Sequence, residues 1–375
     1  MKHILFACSW GKEKEKAWSG TKYSIYMSIK KYYKLIEITY NPKIGLDIWF
    51  IKNKIKNYIQ RILGTYQPDM NILSINHYNN VIKKKKIQKK YVCLSFEECP
   101  DIKNIHSYVY QDLCAGYIKY LYYNCSDIFK KSGFQDNSEE VILKREQMQK
   151  EFFLNRVAGI FAMGKWYKKW LVDTYNIPEE KVHHVGGGSN LDFSKVDYKS
   201  KRGNKILFIG RDFERKNGNL VIAAFKIAQQ IRDDIELYIV GPENCPERAK
   251  GKKIFFLGSK EYDQLPQIFN MCDVFCMPSK FEAYGLVFAE ALIYGLPCIG
   301  RNAFEMPYFI DDGETGYLLE REDPEILAQY MIDLLCNEMI KKNVRDKFDW
   351  YKTEYSWDTV AKRMKEIIEK DKYMS

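Results

Sequence analysis

Both halves of the chain alternate short apolar runs with longer amphipathic stretches, and this alternation limits the fold more than any other feature. The first half contains HILFACS, KLIEITY, KKYVCLSF and SYVYQD, and the second contains NKILFIG, DIELYIVG, KKIFFLG and CDVFCMP. Helical stretches such as NGNLVIAAFKIAQQI separate these runs. Strands that alternate with helices are typical of parallel sheets. We therefore predict an α/β protein with two doubly wound, Rossmann-like domains that face each other across a cleft.

The two series of runs are separated by SNLDFSKVDYKSKRGN, which is polar, charged and without apolar periodicity. Segments of this kind are typical of exposed linkers, and a chain of 375 residues suits two domains. We predict an N-terminal domain over residues 1–190, a linker over 191–203 and a C-terminal domain over 204–375. The last helical stretch, SWDTVAKRMKEIIEKDK, is a candidate to return to the N-terminal domain.

Charge is distributed unevenly along the chain, whose formal net charge is +10. Residues 1–200 contain 33 Lys and Arg against 20 Asp and Glu, whereas the remainder contains 26 against 29. A basic half favours an anionic partner, although a solvated lysine-rich surface explains the same pattern. Ten Cys without paired spacing are typical of a reducing cytosol. No signal peptide and no apolar run of ~18 residues is found, so we expect a cytoplasmic protein.

The strongest local signal is FEAYGLVFAEAL, which follows the predicted strand CDVFCMP. Glu282 lies in the loop after that strand, and Gly285 permits a tight turn into the next helix. The backbone N–H groups of residues 286–288 are predicted to be free at the helix N-terminus, which favours a phosphate-bearing ligand. Carboxylates at Glu282 and Glu290 would accept hydrogen bonds from ligand hydroxyl groups. An ordinary amphipathic helix that begins after a glutamate explains the same residues.

A second signal is FIGRDFERKNGNL, in which a predicted strand ends at Gly210. Arg211 follows in the loop, and Lys216 stands just before the next helix. Guanidinium and ammonium groups both suit phosphate oxygens, and this context places them at the carboxyl edge of the sheet. Arg and Lys are common in loops, so this motif gains weight only beside the first one.

Taken together, the motifs of the second half resemble those of the retaining GT-B glycosyltransferases of family four. GRDFERKN, YIVGPE, FFLG, EAYGLVFAE, GLPCIG and DDGETGYLL occur in the order and spacing of that family. The likeness is close over residues 204–336. It is looser over 1–200, where WSGT, YQDL, FAMGKWYKKWLVDTYNIPEEKV and GGSNLD carry it. The resemblance implies a GT-B fold whose C-terminal domain binds a nucleotide sugar and whose N-terminal domain faces the acceptor.

The resemblance also implies a role for individual residues. Arg211 and Lys216 would neutralise the donor diphosphate, Glu282 would contact the transferred sugar, and Glu290 would bind the ribose hydroxyls. The backbone of Leu286 and Val287 would hold the phosphates. The remaining donor-binding residues are expected near the base, the phosphates or the sugar: Gly241, Leu257, Tyr284, Gly285, Ser19, Gly20 and Thr21. The family transfers its sugar with retention and without a metal, and the sequence has no Asp-x-Asp motif.

The N-terminal domain departs from the family pattern. Residues 19–21 form a small-residue loop that suits close approach of a donor or an acceptor, although a plain helix cap explains it equally well. Many relatives carry a His near the end of a middle strand, where this sequence reads YQD. His106 lies too early in that strand, so Asp112 is the predicted catalytic group facing the anomeric centre. The histidines at 183–184 are interpreted as structural.

Residues 47–63 read as a helix with an isoleucine stripe between Lys and Arg, and residues 83–90 form the basic run KKKKIQKK. Such a helix suits an anionic membrane surface, although a core-facing helix with a basic outer face is more common. With the membrane interpretation, the acceptor would be lipid-linked and the protein peripheral on the inner face of the membrane.

The resemblance implies a hexosyltransferase of the retaining, metal-independent kind. Its donor would be a nucleotide diphosphate sugar, with a UDP-sugar favoured over a GDP-sugar, and its acceptor a glycan or lipid-linked saccharide in glycoconjugate biosynthesis. No cofactor and no nucleic-acid partner is expected. A non-catalytic nucleotide-sugar-binding scaffold and a nucleotide-sugar epimerase are the alternatives.

Overall fold

The computed structural model of the chain describes residues 2–10, 13–39, 80, 82, 91–96, 102, 105–199 and 203–371. Within these ranges the chain forms two six-stranded parallel sheets. The N-terminal sheet has the strand order β2-β1-β3-β4-β5-β6. Its strands are β1 (His3–Cys8), β2 (Lys34–Thr39), β3 (Val92–Ser95), β4 (His106–Gln111), β5 (Gly159–Ala162) and β6 (Val182–His184). Its helices are α1 (Thr21–Ile29), α2 (Ala115–Asn124), α3 (Ser126–Phe129), α4 (Glu139–Asn155) and α5 (Lys165–Asp173).

The C-terminal sheet has the strand order β12-β11-β10-β7-β8-β9. Its strands are β7 (Lys205–Ile209), β8 (Glu236–Val240), β9 (Ile254–Gly258), β10 (Val274–Cys276), β11 (Cys298–Arg301) and β12 (Gly316–Leu319). The helices are α6 (Gly218–Ile231), α7 (Leu265–Met271), α8 (Leu286–Ile293), α9 (Met306–Phe309), α10 (Pro324–Cys336), α11 (Glu338–Asp346), α12 (Phe348–Glu354) and α13 (Trp357–Ile368).

The predicted α/β architecture is confirmed, because apolar runs form buried parallel strands in both sheets. The residues of β1 from Ile4 to Cys8 are fully buried, as expected for strands covered on both faces. Local helix signals are also confirmed. Asp323 caps α10, where its side chain accepts hydrogen bonds from the backbone N–H groups of Glu325 and Ile326, and Pro324 is the first residue of the helix.

Some elements were not predicted from the sequence. These are the helices α2, α9, α11 and α12 and the strand β12. The predicted strand MNILSI and the two basic stretches, 47–63 and 83–90, lie outside the described residues.

The last helix, α13, packs against the N-terminal unit after the chain has completed the C-terminal sheet. Asp358 pairs with Lys31 of α1 at 2.6 Å, and Arg363 donates to the backbone oxygen of Val185 at 3.2 Å. Beyond the helix, a carboxylate oxygen of Asp371 lies 2.8 Å from Nδ1 of His106. These contacts join the end of the chain to the first sheet.

A second group of contacts joins the two units beside the carboxyl ends of their strands. Trp166 of α5 donates from its indole N–H to the backbone oxygen of Ala283 at 2.6 Å, and its backbone N–H donates to Glu305 at 3.1 Å. The rings of Tyr117 and Phe281 are stacked, with centroids 5.9 Å apart. The loop between β10 and α8 is therefore held partly by the N-terminal unit.

Candidate active site

The loop after β10 brings Glu282 to the end of the β7–α6 loop, where Lys216 donates a hydrogen bond to its Oε2. Both side chains are largely buried, with 13% of Lys216 and 11% of Glu282 exposed. Burial lowers the pKa of Lys216 below its usual value, and the carboxylate of Glu282 acts in the opposite direction. The two predicted residues thus form a buried ion pair at the carboxyl edge of the C-terminal sheet.

Arg211 was predicted to act beside Lys216, but the two side chains have different surroundings. Arg211 is exposed, whereas Lys216 is largely buried. The cation that accompanies Lys216 at Glu282 is Arg215, whose NH1 lies 3.8 Å from Glu282 Oε2. The sequence did not distinguish Arg215 from other loop arginines, because a contact across 67 positions of chain leaves no local signal.

Glu290 lies in the second turn of α8 and is buried, with 4% of the residue exposed. Its Oε1 accepts a hydrogen bond of 3.4 Å from Ser189, and the backbone N–H of Asn190 also donates to the carboxyl group. Burial raises the pKa of Glu290 to about 8, and the contacts with Ser189 and Asn190 lower it only in part. A ligand that donates hydroxyl groups to this carboxylate would add partners that favour its ionised form.

The start of α8 has the predicted geometry, with one correction. Gly285 occupies the N-cap with φ +96°, a left-handed conformation that favours glycine. The N–H groups of Leu286 and Val287 lie in the first turn, where a helix offers no acceptor of its own. The N–H of Phe288 was also predicted to be free, and this is wrong, because it donates to Gly285 O at 2.9 Å.

The residues predicted near the base lie at the neighbouring strand ends. Gly241 follows β8, and its N–H donates to the backbone oxygen of Gly258 at 2.9 Å. Gly258 ends β9 and is the residue after Leu257. A Cβ placed on Gly241 would lie 2.5 Å from the backbone carbon of Gly210. This close approach brings the ends of β7, β8 and β9 together beside Arg211.

Replacing Gly241 with alanine should therefore destabilise the protein for two reasons, the positive φ and the clash of the new Cβ with Gly210. Gly313 is a matched control, because its φ is +77° and a Cβ there would meet nothing within 4 Å. We expect Gly313→Ala to lower the free energy of unfolding by about 1 kcal/mol and Gly241→Ala by about 3 kcal/mol or more. Urea unfolding followed by tryptophan fluorescence would measure both, and equal losses would contradict the close approach.

Asp112 follows β4 at the carboxyl edge of the N-terminal sheet and is partly buried. Burial raises the pKa of Asp112 to about 6, and the negative charge of Glu282 acts in the same direction. The predicted N-terminal carboxyl group therefore lies within electrostatic range of the predicted sugar contact. His106 is the first residue of β4, whereas Asp112 follows its last residue. In β6, burial lowers the pKa of His184 to about 4 and also lowers the pKa of His183.

The loop before α1 approaches the C-terminal unit. Ser19 and Gly20 both have left-handed backbones, with φ of 54° and 84°. The oxygen of Ser19 accepts hydrogen bonds from Asn190 at 2.8 Å and from the hydroxyl of Tyr262 at 3.2 Å. Gly20 is the N-cap of α1 and Thr21 is its first residue, with no side-chain cap. The alternative of a plain Ser or Thr cap is therefore wrong.

Two connecting residues, Ser189 and Asn190, were not singled out by the sequence. Ser189 contacts Glu290, and the side-chain oxygen of Asn190 accepts from Ser24 at 2.6 Å and from Trp357 at 2.7 Å. The nearby hydroxyl of Tyr284 accepts from the N–H of Gly187 at 3.0 Å. The only sequence signal was the short motif GGSNLD, which gave no role to either residue.

The described ranges contain neither a metal-binding cluster nor a membrane-spanning helix. Among these residues, no three His, Cys, Asp or Glu side chains are grouped so that they could hold a metal ion. None of the helices described here combines the length and apolar character that crossing a membrane requires.

The two facing parallel sheets, with an ion pair and a helix N-terminus at the carboxyl edge, define a GT-B fold. The HepE protein of Anabaena, solved with UDP and glucose, superimposes with a TM-score of 0.65 at 13% identity. The superposition covers 98% of this chain and 99% of that one.

Residues 192–355 match the family Glycosyl transferases group 1. N-acetyl-alpha-D-glucosaminyl L-malate synthase of Bacillus anthracis is 31% identical over 46% of this chain and 46% of its own length. An uncharacterized glycosyltransferase of Methanocaldococcus jannaschii is 22% identical over 89% of this chain and 97% of its own length. The chain spans about half the length of the first curated relatives that it matches.

Proposed function

We propose that the chain is a retaining, metal-independent glycosyltransferase that moves a sugar from a nucleotide diphosphate sugar to a glycan or lipid-linked saccharide. A UDP-sugar is favoured over a GDP-sugar as the donor. The match of residues 192–355 to Glycosyl transferases group 1 supports the reaction class. The UDP and glucose bound in the HepE structure support the choice of donor.

The observation that carries the proposal is the buried pair of Lys216 and Glu282 beside the N-terminus of α8. When the sugar–phosphate bond breaks, negative charge develops on the diphosphate and positive charge on the sugar ring. Lys216, Arg211 and the N–H groups of Leu286 and Val287 would stabilise the diphosphate. Glu282 would accept hydrogen bonds from the sugar hydroxyls, and its charge would favour the positive ring. The cations Lys216 and Arg211 would replace a metal ion as the counter-charge of the diphosphate.

The N-terminal unit supplies the opposite side of the cleft. Burial and the negative charge of Glu282 raise the pKa of Asp112, and with a pKa of about 6 its carboxyl group is mostly ionised at neutral pH and accepts hydrogen bonds. We assign Asp112 to a contact with the transferred sugar. Contacts such as that of Tyr262 with Ser19 would hold the two units together around the donor.

A thermal-shift panel of UDP, GDP, ADP and their sugar conjugates, with and without EDTA, tests the donor proposal. A ligand at 100 times its Kd should stabilise the folded protein by about 2.7 kcal/mol, and EDTA should not change this value. The panel should single out UDP and a UDP-sugar. A strict metal requirement, or no response to any nucleotide, would contradict the proposal.

The reaction itself distinguishes the alternatives. With the selected donor and an acceptor extract, we expect release of the nucleotide diphosphate and a product with the anomeric configuration of the donor, measured by NMR. Binding without release would favour the scaffold, and a changed sugar still attached to its nucleotide would favour the epimerase. Retention on anionic vesicles would test whether residues 47–63 and 83–90 bring the protein to a lipid-linked acceptor at a membrane.

A further inference from the structure

Arg215 contacts the loop that carries Glu282 through both its backbone and its side chain. Its backbone oxygen accepts hydrogen bonds from the N–H of Lys280 at 2.9 Å and from the hydroxyl of Ser279 at 3.2 Å. Its NH1 donates to the oxygen of Phe281 at 2.6 Å. The peptide that precedes Glu282 is therefore fixed by the guanidinium group.

The guanidinium group is itself oriented from the other side. Its Nε donates to Asp212 Oδ2 at 2.9 Å, and the backbone N–H of Arg215 lies 3.3 Å from Asp212 Oδ1. Its NH1 also lies 3.8 Å from Glu282 Oε2. Only 19% of the Arg215 side chain is exposed. A planar guanidinium group with several N–H donors is suited to bridging these acceptors, whereas an ammonium group could make only some of the same contacts.

We infer that Arg215 is a positioning residue for Glu282, and that it determines affinity for the sugar half of the donor and not for its nucleotide half. This inference rests on the proposed function. Arg215 fixes the backbone before Glu282 and supplies a second cation to its carboxylate. Glu282 is the residue assigned to the sugar, whereas Arg211, Lys216 and the start of α8 are assigned to the diphosphate.

A direct contact between Arg215 and the diphosphate is the competing explanation. The side chain already donates to Asp212 and to the oxygen of Phe281. A guanidinium group has five N–H donors, so a phosphate contact is compatible with both of these hydrogen bonds, and binding measurements must separate the two explanations. The two explanations differ in one measurable quantity, which is the ratio of the affinities for a nucleotide sugar and for the free nucleotide.

The test measures Kd for UDP and for UDP-glucose by isothermal titration calorimetry, or for the pair that the thermal-shift panel selects. For Arg215→Ala we expect the affinity for the nucleotide sugar to fall about tenfold, because a charged hydrogen bond is lost, and that for UDP to change less than about twofold. Arg215→Lys should show a smaller loss. Arg211→Ala should weaken the binding of both ligands by a similar factor.

Arg232→Ala is the structural control, because this arginine pairs with Asp234 at 2.9 Å, away from the loop, and should leave both affinities unchanged. If Arg215→Ala lowered the affinity for both ligands by the same factor, or changed neither affinity, the inference would be overturned while the proposed function stands. If the wild-type protein bound neither UDP nor any nucleotide sugar, the proposed function would be wrong, and this inference with it. A structural role alone would lower the thermal midpoint without changing the ratio of the two Kd values.

Discussion

Replacing Lys216 with alanine is expected to reduce turnover of the nucleotide sugar by about 100- to 1,000-fold, the usual loss when one fixed donor to a developing negative charge is removed. The ammonium group of Lys216 is largely buried at Glu282, so solvent screens it little. Release of the nucleotide diphosphate under saturating donor measures this effect.

The same substitution leaves the carboxylate of Glu282 without its closest partner, which destabilises the fold as well. The double variant Lys216→Ala/Glu282→Gln measures the effect on folding alone, because Glu282 is itself assigned to the sugar and its loss also reduces turnover. It should regain stability by removing the unpaired charge and yet stay inactive. Lys131→Ala is the surface control, because this ammonium pairs with Glu214 at 3.6 Å in a more exposed setting and should leave turnover unchanged. Full activity of Lys216→Ala would contradict the assigned role.

The main features of the C-terminal sheet and of its site could be predicted from the sequence, because they depend on local patterns. Asp323 precedes Pro324 at a helix start, and Gly285 stands between a buried strand and an apolar helix, so both signals lie within a few residues. Glu282 and Lys216 could be brought together by one further rule, since loops that follow parallel strands share one edge of the sheet.

The contacts that fix these groups could not be predicted in the same way. Arg215 and Arg211 are both loop arginines, and only the fold shows that Arg215 bonds the peptide before Glu282. Glu305 accepts from the N–H of Trp166, which is 139 positions away, and Ser189 contacts Glu290 across 101. Side-chain contacts over such separations depend on the packing of two units, for which a single sequence carries no period and no motif.

Buried carboxyl groups at the junction of the two units make the stability of the protein depend on pH. Burial raises the pKa of Glu290 from 4.5 to about 8, that of Glu305 from 4.5 to about 7 and that of Asp112 from 3.8 to about 6. In each case the folded protein holds a proton that the unfolded chain releases at lower pH. The free energy of unfolding should therefore fall as the pH rises from about 4.5 to 8.

Glu290→Gln should remove the largest part of this dependence. At pH 9 the variant is expected to exceed the wild type in free energy of unfolding by up to about 5 kcal/mol, the equivalent of the full pKa shift, whereas at pH 4 the two should be equal. Urea unfolding at a series of pH values measures the difference. The same variant should bind the nucleotide at least about tenfold more weakly, because the ribose hydroxyls lose a charged acceptor.

Glu305→Gln provides the matched control for this pair of effects. Glu305 is equally buried and also has a raised pKa, but it accepts from the backbone of Trp166 instead of belonging to the predicted nucleotide contacts. Its amide variant should lessen the pH dependence up to about pH 7 and leave nucleotide affinity unchanged. If Glu290→Gln gained stability and kept its nucleotide affinity, the ribose role of Glu290 would be wrong. A stabilised variant with weakened binding would mean that this carboxylate is kept at a cost to folding because the donor requires it.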